Sequence, residues 1–219
     1  MKVAKVVLVV VLAVMLVAAS ASPATAKLVG KKVRIGALLP LSGFIAYFGN
    51  QQRLTLKFAV DDINKAGGIG GLPVEIVELD TASKGDTAIQ ALIKLSRVEK
   101  TLAIFGPLLS SNCSVVFPQS VRLKVPTITA SCAFPGLAAK NRPWSFANSS
   151  TSDKVNAPTV ARWVKDHNIK KVAIIYDNKD RVSKGFGTIV APGLAKKHGI
   201  NIVATQTFIT TDVDYSAQI

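Results

Sequence analysis

Two hydroxyl-rich segments carry the side chains best suited to binding a small anion. Ser110 and Ser111 follow one apolar run, and Ser131 follows the next. If Ser110 and Ser111 begin a helix, the unpaired N–H groups of its first turn and the positive end of its dipole favour a carboxylate. Serine hydroxyls would add short, charge-assisted hydrogen bonds. The same residues also suit a purely structural role, because serine is a common helix N-cap.

Residues suited to catalysis or metal binding are sparse and poorly spaced. His167 and His198 each fall in the last turn of a predicted helix, where a cation favours the negative end of the dipole. Neither has a partner at metal-ligand spacing. The run Gly67–Gly71 follows a helix and precedes a strand, the reverse of the order in nucleotide-binding loops. The sequence therefore predicts a protein that is not an enzyme, with no catalytic residue, metal or cofactor.

The chain is basic, with 27 Lys and Arg against 13 Asp and Glu and a formal net charge of +14. Nucleic-acid-binding domains are often this basic, but they cluster the charge on a stripe or patch. Here no run of basic residues exceeds two, as in Lys31-Lys32 and Lys196-Lys197. The pattern favours a solvated surface and no nucleic-acid partner.

The first residues have the three parts of a secretory signal peptide. Lys2 and Lys5 precede an apolar run, Val6–Ala19, and small residues end the segment at Ala24–Ala26. The apolar run is shorter than the ~20 residues that a membrane-spanning helix needs. We therefore expect residues 1–26 to be a signal peptide and the mature protein to be exported to the periplasm.

Alternating strands and helices must position the serines. Strands are expected at residues 33–39, 74–79, 102–105, 126–129, 171–176 and 202–208, with a short extended crossing at 144–147. Helices are expected at 50–65, 86–98, 111–123, 154–166 and 184–197. Repeated strand–helix units predict an α/β fold with parallel sheets, in which ligands bind at the carboxyl ends of the strands.

The first predicted helix illustrates how the core is assigned. Asn50 is its expected N-cap, and Leu54, Phe58 and Ile63 fall on the stripe expected to be buried. A second series of strands and helices begins near residue 148. We therefore expect two lobes, at residues 27–147 and 148–219.

Several segments together resemble one known family. They are Lys32–Leu41, Ser42-Gly43, Ala59–Ile69, Gly106–Ser111 and Val125–Thr129. In this register the chain resembles the branched-chain amino acid-binding proteins of ABC importers. The resemblance implies the type I periplasmic binding protein fold, in which two Rossmann-like lobes with parallel sheets close over a ligand. It also implies a small-molecule ligand, an amino acid or small carboxylate, and an ABC permease of the inner membrane as partners.

The resemblance assigns roles to individual residues. Phe48 falls where the family often has an aromatic residue that covers the ligand. Ser110 corresponds to the serine whose hydroxyl and neighbouring amides, Ser111 among them, hold the carboxylate. Ser131 and Cys132 correspond to small residues whose backbone contacts the ligand, including a carbonyl that accepts from an ammonium.

Two departures from the family pattern bear on the ligand. Ala133 stands where a threonine usually donates to the carboxylate, and Val182 stands where the second lobe usually has a tyrosine. Both changes remove a hydroxyl. They weaken the case for an ordinary amino acid and favour a related carboxylate, an amide or an aromatic acid.

The cysteines also depart from the family. Its usual cysteine pair does not occur here, because Ser83 and Leu109 occupy the corresponding positions. Cys113 and Cys132 lie instead beside the two serine segments. Because an exported chain can form disulfides, we expect a Cys113–Cys132 disulfide that braces the binding mouth.

Family members are substantially longer, so the second lobe is expected to be incomplete within these residues, either as a truncated gene product or as a fragment. Residues 27–219 alone are therefore expected to bind ligand weakly or not at all. A ligand-sensing receptor ectodomain of the same fold and a non-functional truncated product are the alternative interpretations.

Overall fold

A computed structural model describes residues 30–218, and the predicted signal peptide lies outside the described residues. Within them the strands are Val33–Leu39 (β1), Val74–Asp80 (β2), Ala103–Phe105 (β3), Thr127–Thr129 (β4), Ser145–Ala147 (β5), Lys171–Asp177 (β6) and Asn201–Phe208 (β7). The helices are Ala46–Lys65 (α1), Gly85–Ile93 (α2), Ser110–Leu123 (α3), Asn156–Asp166 (α4), Arg181–Gly185 (α5) and Ala191–His198 (α6). A π-helical turn, Lys94–Val98, extends α2, and another, Phe186–Val190, joins α5 to α6.

The strands form two parallel sheets, which confirms the predicted α/β class. The first sheet has the order β2-β1-β3-β4-β5, and the second has β6-β7. Residues 145–147 of the expected crossing form the edge strand β5, with Phe146 opposite Ile128. In the first sheet the strand order reverses between β1 and β3. Their carboxyl-terminal loops therefore flank the crevice where open parallel sheets bind ligands.

The core lies between the first sheet and helices α2 and α3. Leu38, Leu92, Ile104, Val116 and Phe117 are all fully buried there. The β-branched and leucine side chains of β1 and β3 suit strands that are covered on both faces. Each Leu or Phe removed from water contributes roughly 1.5–3 kcal/mol, so this cluster fixes the strand ends that follow it.

Helix α1 differs from the sequence prediction at its start and on its expected buried face. It begins at Ala46, so Asn50 is not the N-cap, and the Asn50 side chain donates instead to the carbonyl of Ala46 at 2.8 Å. Leu54 and Phe58 are 50% and 67% exposed. These apolar side chains do share one face of the helix, but within the described residues little packs against that face.

Gly49 is the one buried residue of α1. A Cβ at this position would collide with the carbonyl of Pro40. Glycine therefore allows α1 to approach the loop that follows β1, which places the N-terminal turns of the helix beside the crevice.

Candidate functional site

The loops after β3 and β4 lie against each other at the carboxyl edge of the first sheet. The hydroxyl of Thr129 donates to the carbonyl of Pro107 at 2.6 Å. The N–H of Gly106 donates to the carbonyl of Ile128 at 2.8 Å. These bonds bring together the two hydroxyl-bearing segments that were predicted from the sequence to bind an anion, one beginning at Ser110 and the other at Ser131.

Ser110 is the first residue of α3 and does not cap it. Leu109 occupies the N-cap position, and no side chain caps the helix. Ser110 is 3% exposed, and its Oγ is buried without a hydrogen-bond partner. A buried, unpaired hydroxyl costs about 1–3 kcal/mol, so the capping interpretation does not account for this serine. At the positive end of a helix dipole, a hydroxyl free to donate suits a carboxylate oxygen.

The loop after β4 offers a second hydroxyl and several carbonyls. Ser131 is half-buried, and its N–H donates to the Thr129 hydroxyl at 3.2 Å. The carbonyl of Cys132 accepts from the Ser149 hydroxyl at 3.1 Å, and that of Ala133 accepts from the Ser152 N–H at 3.1 Å. A carbonyl has two lone pairs, so each retains one for a further donor.

A disulfide between Cys113 and Cys132 links the two segments in the structure, with 6.6 Å between the Cα atoms. Both cysteines are buried. Cys113 lies in the first turn of α3, immediately after Ser110 and Ser111. The bond therefore holds the start of that helix to the loop that carries Ser131.

Helix α1 places Phe48 and Gln52 one turn apart on the same face. The ring of Phe48 is 58% exposed and meets Tyr47 edge-on at 5.5 Å between centroids. The Nε2 of Gln52 donates to the Ser131 Oγ at 3.4 Å. Gln52 was not among the residues predicted from the sequence to bind a ligand. Its spacing of four residues from Phe48 was the available clue, since such pairs share a helix face.

A cavity of about 340 Å³ separates the first lobe from the loops of the second. From the first lobe, Phe44, Ser83 and Ser111 line it, and from the second lobe come Asp177, Lys179, Asp180, Ile209, Thr210 and Thr211. Of the six residues predicted to bind ligand, Ser111 is the one that borders this space. Val182 lines a different, apolar cavity of about 500 Å³ inside the second lobe.

Two carboxylates hold the loops on either side of the crevice. Asp80, at the end of β2, accepts from the N–H of Leu41 at 2.8 Å and from the hydroxyl of Ser42 at 2.5 Å. Burial alone would raise the pKa of Asp80. Hydrogen bonds from Ser42, Ala82 and Leu41 outweigh burial and keep the pKa below its usual value. The carboxylate is therefore ionised at neutral pH and fixes the loop after β1.

Asp177 plays the equivalent part in the second lobe. It is 4% exposed and accepts from the N–H groups of Lys179 and Thr210 at 2.7 and 3.0 Å, and from the Thr210 hydroxyl. Burial would raise the pKa of Asp177, but the bonds from Thr210, Lys179 and Asp180 hold it below its usual value. Because its oxygens are occupied by the protein, Asp177 mainly orders the wall of the cavity.

The two lobes also touch through a cation–π contact. The guanidinium of Arg181 in α5 lies 4.4 Å from the centroid of Phe134, which follows β4. Gly185 faces the same ring, and a Cβ there would approach its Cε2 to 2.9 Å. This contact joins a first-lobe loop to a second-lobe helix.

The described residues offer no alternative site for metal chemistry. Within residues 30–218, no group of three or more His, Cys, Asp or Glu side chains could hold a metal ion. His167 stacks on Trp163 with 4.6 Å between ring centroids, and His198 ends α6. In the same part of the chain, no helix combines the length and apolar character needed to cross a membrane.

Known proteins resemble this chain in sequence and in fold. The chain is 29% identical over 213 residues to the Leu/Ile/Val-binding protein homolog 7 of Brucella abortus (strain 2308), covering 91% of this chain and 50% of that protein. It is 29% identical over 185 residues to the chemotactic signal transduction system substrate-binding protein BasB of Halobacterium salinarum, covering 80% of this chain and 43% of that protein.

A solved structure shares the fold. It is the branched-chain amino acid transporter substrate-binding protein LivJ of Streptococcus pneumoniae in complex with isoleucine, with a TM-score of 0.77 and 28% identity. The match covers 86% of this chain and 53% of that one. The chain thus spans about half the length of the relatives it matches, and those relatives are solute-binding proteins rather than enzymes.

The family profile described as Periplasmic binding protein matches residues 32–219, the whole of the part that forms the two sheets. The fold, the crevice at the strand-order reversal and the relatives agree with that match. The chain belongs to the periplasmic binding protein family.

Proposed function

We propose that this protein is the extracytoplasmic solute-binding component of an ABC importer and captures a small carboxylate between its two lobes. The observation that carries the proposal is the Ser110 hydroxyl, buried and without a partner at the N-terminus of α3. The carboxylate would accept from this hydroxyl and from the first N–H groups of the helix. The Ser131 segment, held alongside by the disulfide, would bind another part of the same molecule.

The proposed ligand is a branched-chain amino acid or a related carboxylate, amide or aromatic acid. Isoleucine is the ligand in the LivJ complex. Ala133 supplies no hydroxyl to a carboxylate, so the site offers one donor fewer to the oxygens of the ligand than the family pattern does. The exposed ring of Phe48, with Ser111, Cys132 and Ala133, would complete the first-lobe wall.

The proposal extends to compartment and partners. Residues 1–26 would direct export to the periplasm, residues 27–147 would form the first ligand-binding lobe, and residues 148–219 would belong to the second. The loaded protein would deliver its ligand to an ABC permease of the inner membrane. The family description, Periplasmic binding protein, supports the compartment, and the relatives' names support a small-molecule ligand.

The test uses protein expressed from its complete reading frame. Isoleucine, other amino acids, short amides and aromatic acids are first screened by thermal shift. Ser110→Ala should then weaken the binding free energy of the ligand that gives the largest thermal shift by about 1.5–3 kcal/mol, the contribution of a hydrogen bond to a charged group. Ser114→Ala is the matched control, because that serine lies one turn further along α3 and its hydroxyl is satisfied by the carbonyl of Ser111 at 2.6 Å.

An unchanged dissociation constant for Ser110→Ala, measured by calorimetry, would remove the proposed role of this serine. Equal losses for Ser110→Ala and Ser114→Ala would mean that both substitutions act through the stability of the helix. Turnover of the bound compound would contradict a binding protein altogether.

A sensory role is the second candidate, because one relative is the substrate-binding protein of a chemotactic system. The same site would then present its ligand to a signal transducer instead of a permease. Deletion of the gene distinguishes the two functions. Loss of ligand uptake supports transport, whereas loss of taxis with normal uptake supports sensing.

A further inference from the structure

Gln52 carries a buried acceptor that the protein itself leaves unpaired. The Gln52 side chain is half-buried, whereas its neighbours Gln51 and Arg53 are exposed. Its Nε2 donates to Ser131 at 3.4 Å, but its Oε1 has no hydrogen-bond partner and no contact with solvent. An amide carbonyl excluded from water costs free energy unless a donor reaches it.

The Gln52 amide also sets the direction of the Ser131 hydrogen bond. Because the Ser131 Oγ accepts from Gln52, its own hydrogen is free to point away from α1. Gln52 and Ser131 together therefore present one acceptor and one donor side by side. Ser110 adds a hydroxyl without a hydrogen-bond partner on the adjoining segment.

We propose that Gln52 determines specificity by accepting a hydrogen bond from an N–H or O–H group of the ligand, on a different atom from the carboxylate held at Ser110. The proposal rests on the proposed function of the same site and narrows its substrate class. The ligand is a carboxylate that carries a separate donor, such as an ammonium, an amide or a hydroxyl group. A plain alkyl or aryl carboxylate would leave the Oε1 of Gln52 buried and unpaired.

The experiment compares ligands that differ in one donor. L-Isoleucine is paired with 3-methylpentanoate, which lacks the ammonium, and 4-hydroxybenzoate is paired with benzoate, which lacks the hydroxyl. Affinities of the protein expressed from its complete reading frame are measured by calorimetry. In whichever pair binds, we expect the compound with the extra donor to bind about tenfold or more tightly than its partner. That is the scale of one hydrogen bond whose loss leaves a group unpaired.

Gln52→Leu should abolish that preference while the binding of the donor-free acid stays within about twofold, because leucine is apolar and of similar length. Gln51→Leu is the matched control, since Gln51 is the same residue type on the exposed side of α1. It should leave both affinities unchanged. Gln52→Glu should strengthen binding if the donor is an ammonium, because a carboxylate pairs with a cation.

Each outcome separates the two proposals. Equal binding of the paired acids, or a preference that survives Gln52→Leu, overturns the role of Gln52 and leaves the carboxylate site intact. If none of the acids binds and Ser110→Ala changes nothing in the wider screen, the proposed function fails and the role of Gln52 fails with it. Loss of binding in Gln51→Leu as well would show that α1 is merely destabilised, which also overturns the proposal.

Discussion

The two lobes bury their apolar side chains to very different extents. In the first lobe, five strands and helices α2 and α3 enclose a continuous core that includes Leu38 and Phe117, both fully buried. In the second, β6 and β7 leave Ile175 and Val203 54% and 56% exposed. The described part of the second lobe therefore has fewer buried contacts to resist local opening. Within the described residues, the better-packed side of the cavity is therefore the one formed by the first lobe.

One local arrangement nevertheless recurs in both lobes. Asp80 ends β2 and accepts from the loop after the neighbouring strand β1. Asp177 ends β6 and accepts from Thr210 in the loop after the neighbouring strand β7. In each lobe a carboxylate at a strand end fixes the adjacent loop that faces the cavity. Loop order thus depends on a few charge-assisted bonds, whereas lobe stability depends on the core.

The substitution with the largest expected effect tests whether the first lobe is more closely packed than the second. Phe117→Ala should lower the free energy of unfolding by about 3–5 kcal/mol, because it leaves a cavity in a closely packed region. Ile175→Ala, at a half-exposed position, should cost under about 1 kcal/mol. Urea unfolding and amide hydrogen exchange of each variant would measure the two losses in unfolding free energy. Equal losses would show that the two lobes form a single cooperative core.

Removal of the disulfide tests whether the segments that begin at Ser110 and Ser131 are held in place within the first lobe alone. Replacing both Cys113 and Cys132 with alanine should cost about 3 kcal/mol, since the bond closes a short loop in the unfolded chain. Amide exchange should rise near Ser110 and Ser131 and stay unchanged in β6 and β7. Two free thiols in the unfolded, unreduced protein would contradict the pairing, and exchange that rises equally in both lobes would remove the contrast.

The strand-end carboxylates should give smaller effects. Asp80→Asn and Asp177→Asn should each cost about 1–3 kcal/mol at neutral pH, because an amide oxygen replaces an ionised acceptor. Asp80→Asn should lower the global unfolding midpoint. Asp177→Asn should mainly accelerate amide exchange at Thr210. The reverse pattern would mean that the second lobe limits stability.

The pH dependence of the same pair has a definite sign. Both folded pKa values lie below the unfolded value of about 3.9, so the native state binds fewer protons in that range. Their contribution is complete above pH ~4 and disappears as the pH falls through the lowered pKa values. Unfolding free energies measured from pH 7 downward should therefore fall less steeply in the asparagine variants. Identical slopes would contradict the assigned pKa directions.

Much of the fold followed from the sequence because local and long-range preferences agree in the first lobe. The run 33–39 is apolar except for Arg34, and it forms a strand whose last four residues are all buried. Ala88, Leu92 and Leu95 repeat at helical spacing and are all fully buried. The parallel arrangement followed from the alternation of elements, since the crossovers between parallel strands require helices.

The errors lie where tertiary contacts override the local pattern. Asn50 suits an N-cap, but the helix begins at Ala46, with Ile45 at the N-cap position, and Gly49 lets its first turns approach the carbonyl of Pro40. Leu54 and Phe58 have the spacing of a buried helix face, yet both are exposed. Burial of such a face depends on chain segments that are distant in the sequence. Gln52 was not predicted because glutamine is a common surface residue of helices, and the burial and the proximity to Ser131 that distinguish it from Gln51 depend on the folded structure.

The Arg181–Phe134 contact has a consequence for how the lobes can be adjusted. Its attraction depends on the negative electron density above the ring face. A fluorinated phenylalanine at position 134 keeps the volume of the ring beside Gly185 but withdraws that density. Successive fluorine atoms would thus weaken the affinity of the two lobes for each other in graded steps, with almost no change in shape.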